Sequence, residues 1–182
     1  MKGMVFTEFM DLVEETWGLD MSEDLLDTVQ PASGGIYTAV GNYPPEEMVA
    51  MVSALSEDIN TPVPDLLVAF GERIFGLFTE KYGAFFAECS NSFEFLAGIH
   101  DHIHVEVRKL YPDAELPDFS YPDAEVDHMV MDYESTRPLA HFAYGLILST
   151  VKHYGENIEV TMHDLSDGAG TRARFELHRH AA

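Results

Sequence analysis

Residues 126–147 read VDHMVMDYESTRPLAHFAYGLI, and the period of the pattern changes inside them. Val126, Met129, Val130, Met131 and Tyr133 suggest a strand, whereas Pro138 opens a helical stretch running to Tyr154. Beyond it, Ile158–His163 predicts a strand, SDGAG at 166–170 a turn, and the alternation of Thr171–Leu177 the returning strand of a hairpin. Toward the N-terminus the texture is helical. Val5, Phe9, Leu12 and Val13 form one stripe over Met4–Trp17, and shorter helices are predicted over Ser22–Val29 and Glu46–Ser56. Leu66, Leu67, Phe70, Ile74, Leu77 and Phe78 mark a buried helix over Pro64–Tyr82, and Phe93–Leu110 reads as another. Two segments dense in Gly or Pro read as loops, 31–45 and 111–125; the second contains the string YPDAE twice. Helices first, then an antiparallel sheet with one further long helix, make an α+β fold, expected as a single domain over residues 1–182 around one core.

Composition narrows the function. With 32 acidic residues against 10 Lys and Arg, the formal charge of −22 repels phosphate backbones and anionic lipid surfaces. Nucleic acid and membrane partners are therefore not expected, while a basic protein partner is compatible. Cys89 is the single cysteine, which precludes an internal disulfide and a cysteine-built zinc site and suits a reducing, cytoplasmic setting. Neither a secretory cleavage pattern nor a membrane-length apolar run is present in the sequence. Twelve Phe, eight Tyr and nine Met supply either a thick core or the walls of an apolar pocket.

Two clusters carry chemistry. IHDHIH places His100, His102 and His104 on one predicted helix, with Leu96, Ile99, Ile103, Val107 and Leu110 along its apolar arc. On an unbroken helix His100 falls inside that arc, His104 at its edge and His102 toward solvent. Three roles fit: core-edge histidines bonded to neighbours, an i, i+4 pair on a divalent metal, or one imidazole reaching an iron porphyrin. The pattern does not choose among them. The second cluster is Tyr133, Ser135 and Arg137, three side chains that share one face of a strand end and lead into a helix N-terminus. Two hydroxyls and a guanidinium fork would receive ligand carboxylates; the plainer reading is a helix cap at Ser135 and a surface ion pair at Arg137.

The opening MKGMVFTEFMDLVEE, the segment GGIYTAVGNYP, the block HVEVRKLYPDAELP, and YESTR followed by GLI together resemble the haem-nitric oxide/oxygen binding (H-NOX) family, bacterial relatives of the haem domain of soluble guanylate cyclase. The resemblance covers nearly the whole chain. It implies a helical fold around haem b (iron protoporphyrin IX) with a four-stranded antiparallel sheet. It also implies that the histidine seven residues before the Tyr of a Tyr-Pro pair is the axial ligand: Tyr111-Pro112 points to His104. The family's proline thirteen residues after the ligand, which presses on the porphyrin, corresponds to Pro117, and its propionate clamp to Tyr133, Ser135 and Arg137.

The resemblance also bears on the gas. Members that hold O2 use a distal tyrosine, and that position falls at Phe142 here, with supporting positions at Phe9 and Ile74. Val5, Phe78 and Leu146 complete an expected apolar wall, while Tyr144 and His141 are expected to face elsewhere by helical phase. The expectation is a sensor of NO, and of CO, with no stable O2 complex. Weakening or cleavage of the bond between iron and His104, with relaxation of the haem against Pro117, would be the signal. With no output module in these 182 residues, the implied receiver is a separate protein, a sensor histidine kinase or a cyclic-di-GMP enzyme. Two other readings compete. One is a non-haem metal-dependent hydrolase using His100 and His104 with Asp101 or Glu106; the other is an acidic protein-interaction domain.

Overall fold

The structure is a computed structural model that describes residues 1–110 and 112–180; Tyr111 and the side chain of Leu110 lie outside the described residues. Four helices come first: α1 (Gly3–Trp17), α2 (Leu19–Val29), α3 (Pro45–Asp58) and α4 (Val63–Glu88). Prolines sit in the first turns of α3 and α4, where a missing N–H costs nothing. α2 ends at Gln30 in a left-handed conformation, directly before Pro31. α4 runs six residues past its expected end, with a kink at Tyr82, whose backbone leaves the helical region.

The single helix expected over Phe93–Leu110 is three pieces. α5 (Ser92–Ala97) starts at Asn91, whose side chain accepts from the Glu94 amide. A π-helical turn, Ile99–Ile103, follows, and then α6 (His104–Leu110). Within the π turn the His104 amide bonds to the carbonyl of Ile99, five residues back. The wider turn rotates everything after it relative to an unbroken helix.

Four strands form one antiparallel sheet in the order β1-β2-β4-β3, from β1 (Asp118–Ala124), β2 (His128–Glu134), β3 (Ile158–Asp164) and β4 (Arg172–Arg179). α7 (Ala140–Tyr154) connects β2 to β3. β1 lies within the segment that reads as a loop. Pro122 hides it from sequence patterning, and the structure accommodates that proline on an edge strand at an irregularity: Ser120 pairs with Asp132 and Asp123 with Val130, so Tyr121 and Pro122 together oppose Met131.

The expected single core is two. One cluster, including Phe6, Phe9, Leu25, Met51 and Leu55, lies among α1–α4. The other, including Leu96, Met131, Phe175 and Leu177, lies between the sheet, α5 and α7. Each fully buried side chain of this size contributes about 2 kcal/mol. Phe78 and Leu146 pack against both clusters, and the cavity described next touches both. α4 and α7 tie the two together at glycines. A Cβ on Gly71 would lie 2.3 Å from the carbonyl oxygen of Phe142, and one on Gly145 would lie 2.2 Å from that of Val68. Only glycine permits that approach.

Candidate functional site

A cavity of about 330 Å³ opens where the two clusters meet. Its helical wall is supplied by Val5 of α1, Ile74 and Phe78 of α4, and Phe142 and Leu146 of α7. The close contact at Gly71 and Gly145 sets this wall. One turn along each helix from the crossing, Ile74 and Phe142 point into the gap. Phe9 does not line the cavity. It is 1% exposed and packs edge-on against Phe70, with ring centroids 5.4 Å apart, so it backs the wall from behind. Tyr144 turns the other way, donating to the Val160 carbonyl at 3.0 Å and stacking on Phe175.

The histidine wall is built from shorter pieces. His104 lines the cavity at the first residue of α6 and is 7% exposed, with Nδ1 buried and without a hydrogen-bond partner among the described residues. Burial, then the nearby charges of Arg108 and His100, lower its pKa from 6.5 to about 4. The ring is therefore a neutral imidazole at physiological pH, the form that ligates a metal. His100, expected deeper in the apolar arc, is only half-buried, and its ring lies 6.2 Å from that of His104. The reversal is the work of the π turn, which re-phases His104 inward. His102 and Asp101 are exposed. Phe119 of β1 flanks His104 at 6.0 Å between centroids, and Pro117, just ahead of that strand, also lines the cavity.

Tyr133, Ser135 and Arg137 reach the same cavity. Tyr133, 3% exposed near the end of β2, has its pKa raised by burial, against the opposing effects of Ser135 and Arg137. Ser135 Oγ accepts from the Arg137 amide at 3.1 Å, and so holds the turn after β2 rather than capping a helix. α7 begins only at Ala140, so Arg137 does not stand at a helix N-terminus as the sequence suggests. Its guanidinium donates to the Glu115 carboxylate at 2.6 Å and to the Glu115 carbonyl at 3.2 Å, while its Nε is buried with no partner among the described residues. Glu115 carries no signal in the sequence; only the fold brings the 111–125 segment against Arg137.

Three observations bear on whether a porphyrin suits this cavity. Most of the lining is apolar, a buried neutral imidazole lines it, and a guanidinium whose Nε has no partner among the described residues lines it together with a hydroxyl. A flat apolar ring carrying a metal and two carboxylates matches all three. A bare metal centre is poorly supported: among the described residues no group of three His, Cys, Asp or Glu is arranged to hold an ion.

Fold and cavity together are those of a haem-pocket domain. The family model described as haem-NO-binding matches residues 2–162. The structure superposes on the Fe(II) unliganded H-NOX protein from K. algicida with a TM-score of 0.96 at 36% identity, covering 100% of this chain and 98% of that one. The H-NOX from Shewanella woodyi, solved with IWP-051 bound in the Fe(II)CO state, gives 0.83 at 36% identity over 99% and 95% of the two chains. The H-NOX protein from S. oneidensis in the Fe(II)NO state, at 24% identity over all of both chains, shares the fold with a TM-score of 0.89. The comparison with curated protein sequences gives no match. The chain belongs to the haem-NO-binding (H-NOX) family of haem-based gas sensors, and haem is its cofactor.

Proposed function

We propose that this chain senses NO, and also CO, at ferrous haem held by His104, forms no stable O2 complex, and passes the signal to a separate protein. The observation that carries the reading is the neutral, buried imidazole of His104 in an otherwise apolar cavity. When bound, the haem would supply an iron that binds a diatomic gas. His104 would hold it from one side, and Tyr133, Ser135 and Arg137 would receive its propionates, with Arg137 exchanging Glu115 for a ligand carboxylate. The side chains of Val5, Ile74, Phe78, Phe142 and Leu146 carry no hydrogen-bond donor. Bound O2 carries partial negative charge and gains from a donor there, whereas NO binds ferrous iron strongly without one.

The signal we propose is release of His104. α6 is a short helix joined to α5 through a π turn, a junction that can shift more readily than a continuous helix. Pro117 at the cavity edge would resist a flat ring, so loss of the His104 tether relaxes that contact. A separate partner, such as a sensor histidine kinase or a cyclic-di-GMP enzyme, reads the change only if it binds the two states unequally. Among the described residues no helix is long and apolar enough to cross a membrane.

The test is the visible spectrum of the reduced protein, alone, in air, and with NO or CO. The expected result is a five-coordinate ferrous spectrum that NO and CO shift and that air does not convert to an oxy complex. A colourless protein that takes up no added haem, or a stable oxy spectrum, overturns the corresponding part of the reading.

A further inference from the structure

The repeated string YPDAE contains a tyrosine, Tyr121, that the haem site as described does not use. Its hydroxyl donates to the carbonyl oxygen of Leu96 at 2.6 Å. That carbonyl belongs to the last turn of α5, immediately before the π turn that aims His104. Helix ends leave carbonyls without intrahelical donors, and side chains from outside can satisfy them. Burial pushes the Tyr121 hydroxyl up to about 12, so it remains a protonated donor throughout the working range of pH.

The strand is shaped to deliver this bond. Tyr121 and Pro122 are the two residues that oppose Met131 in the β1–β2 ladder, and such bulges re-aim side chains. Two residues earlier on the same face, Phe119 stands beside His104. β1 thus meets the ligand-bearing segment on both sides of the π turn: Tyr121 at its start, through Leu96, and Phe119 at its finish, through His104. Pro117 continues the same alternation toward the cavity.

We infer that Tyr121 is a positioning residue for the haem ligand: its bond to Leu96 terminates α5, sustains the π turn, and thereby directs the His104 imidazole into the cavity. The inference rests on His104 being the axial ligand. Without the hydroxyl, α5 is free to continue in α-helical register, the phase in which His100 rather than His104 turns toward the apolar side.

The test compares Tyr121→Phe with the unmodified holoprotein and with Tyr144→Phe, which removes an equivalent tyrosine-to-carbonyl bond at Val160 outside the histidine wall. Haem transfer to an excess of apomyoglobin and the iron–histidine stretching band of the ferrous form are measured alongside thermal unfolding. Loss of one buried hydrogen bond predicts about five- to tenfold faster haem transfer from Tyr121→Phe, with a shifted or broadened stretching band. Tyr144→Phe is expected to unfold at lower temperature with its band unmoved. A Tyr121→Phe band identical to that of the unmodified protein, whether or not its melting temperature falls, overturns the inference. Should Tyr121→Phe not fold, Leu96 and His104 amide hydrogen exchange in the unmodified holoprotein decides: fast exchange at His104, which the π-turn bond to Ile99 should protect, also overturns it. An unmodified protein with no iron–histidine band at all defeats the ligand assignment itself and is recognised separately.

Discussion

The helical wall and the histidine wall of one cavity are built in opposite ways. The first consists of long helices locked at Gly71 and Gly145, where backbone meets backbone and nothing can slide without a clash. The second consists of a π turn, a seven-residue helix, a bulged edge strand and a loop. Irregular elements satisfy fewer of their own backbone groups and rely on side chains such as Tyr121 to complete them. On the proposed reading, a rigid wall whose Val5, Ile74, Phe78, Phe142 and Leu146 side chains carry no donor would suit discrimination among small gases. A wall assembled from short pieces suits the part that must move. On the proposed reading, the contrast would separate selectivity from signalling within a single pocket.

The sharpest way to break the comparison is His104→Ala. If the histidine wall holds the haem, this variant purifies without it, and free imidazole restores a ferrous haem spectrum; retention of native-like haem would remove His104 from the site. Next in size is Gly145→Ala, which drives a methyl group into the Val68 carbonyl. It is expected to cost roughly 3 kcal/mol in denaturant unfolding and to disturb the helical wall. Near-normal stability would mean that α4 and α7 are not locked there.

Phe142→Tyr asks whether the helical wall sets the gas. Phe142 lines the cavity, and a hydroxyl there would donate to bound O2, a gain of about 2 kcal/mol or roughly thirtyfold in affinity. The expected outcome is an oxy spectrum in air that the unmodified protein lacks. A variant still blind to O2 would shift the cause of selectivity away from the donor-free wall.

The smallest effect concerns the loop beside α1. Glu47 accepts hydrogen bonds from the Ser33 amide at 3.0 Å, the Ser33 hydroxyl at 2.7 Å and the Tyr37 hydroxyl at 2.9 Å. Burial pushes its pKa up, yet these bonds outweigh burial and hold it below the ordinary 4.5. Its contribution is therefore present in full above pH 4.5 and is lost as the pH falls through the lowered value of the folded state. Melting temperatures measured from pH 7 down to pH 3 should fall more steeply for the unmodified protein than for Glu47→Gln. That variant itself should be destabilised by about 1–2 kcal/mol at pH 7. Parallel curves would mean that this carboxylate does not anchor the loop.

Much of this was legible from residues alone. Periodic apolar spacing marks α1, α4 and α7, and alternation marks β3 and β4, because each buries one face along a regular period. The set Tyr133, Ser135 and Arg137 stands out because alternate positions along a strand share a face. The strand β1 was not legible, since Pro122 and the turn-forming residues around it read as a loop until a neighbouring strand pairs with them. Phe9 was placed at the wall by correspondence with the family, which gives a position and not what packs against it; here Phe9 packs edge-on against Phe70.

The sequence by itself determined the class of fold, the acidic surface, the donor-free residues of the helical wall and the family to which the chain belongs, since these depend on local period, composition and motif spacing. Only the tertiary structure decided how a π turn brings to the cavity the histidine that the resemblance indicates, where the second core begins and that Glu115 stands against Arg137. Helical phase propagates along the chain, so one π turn changes the facing that an unbroken helix would give to every residue beyond it.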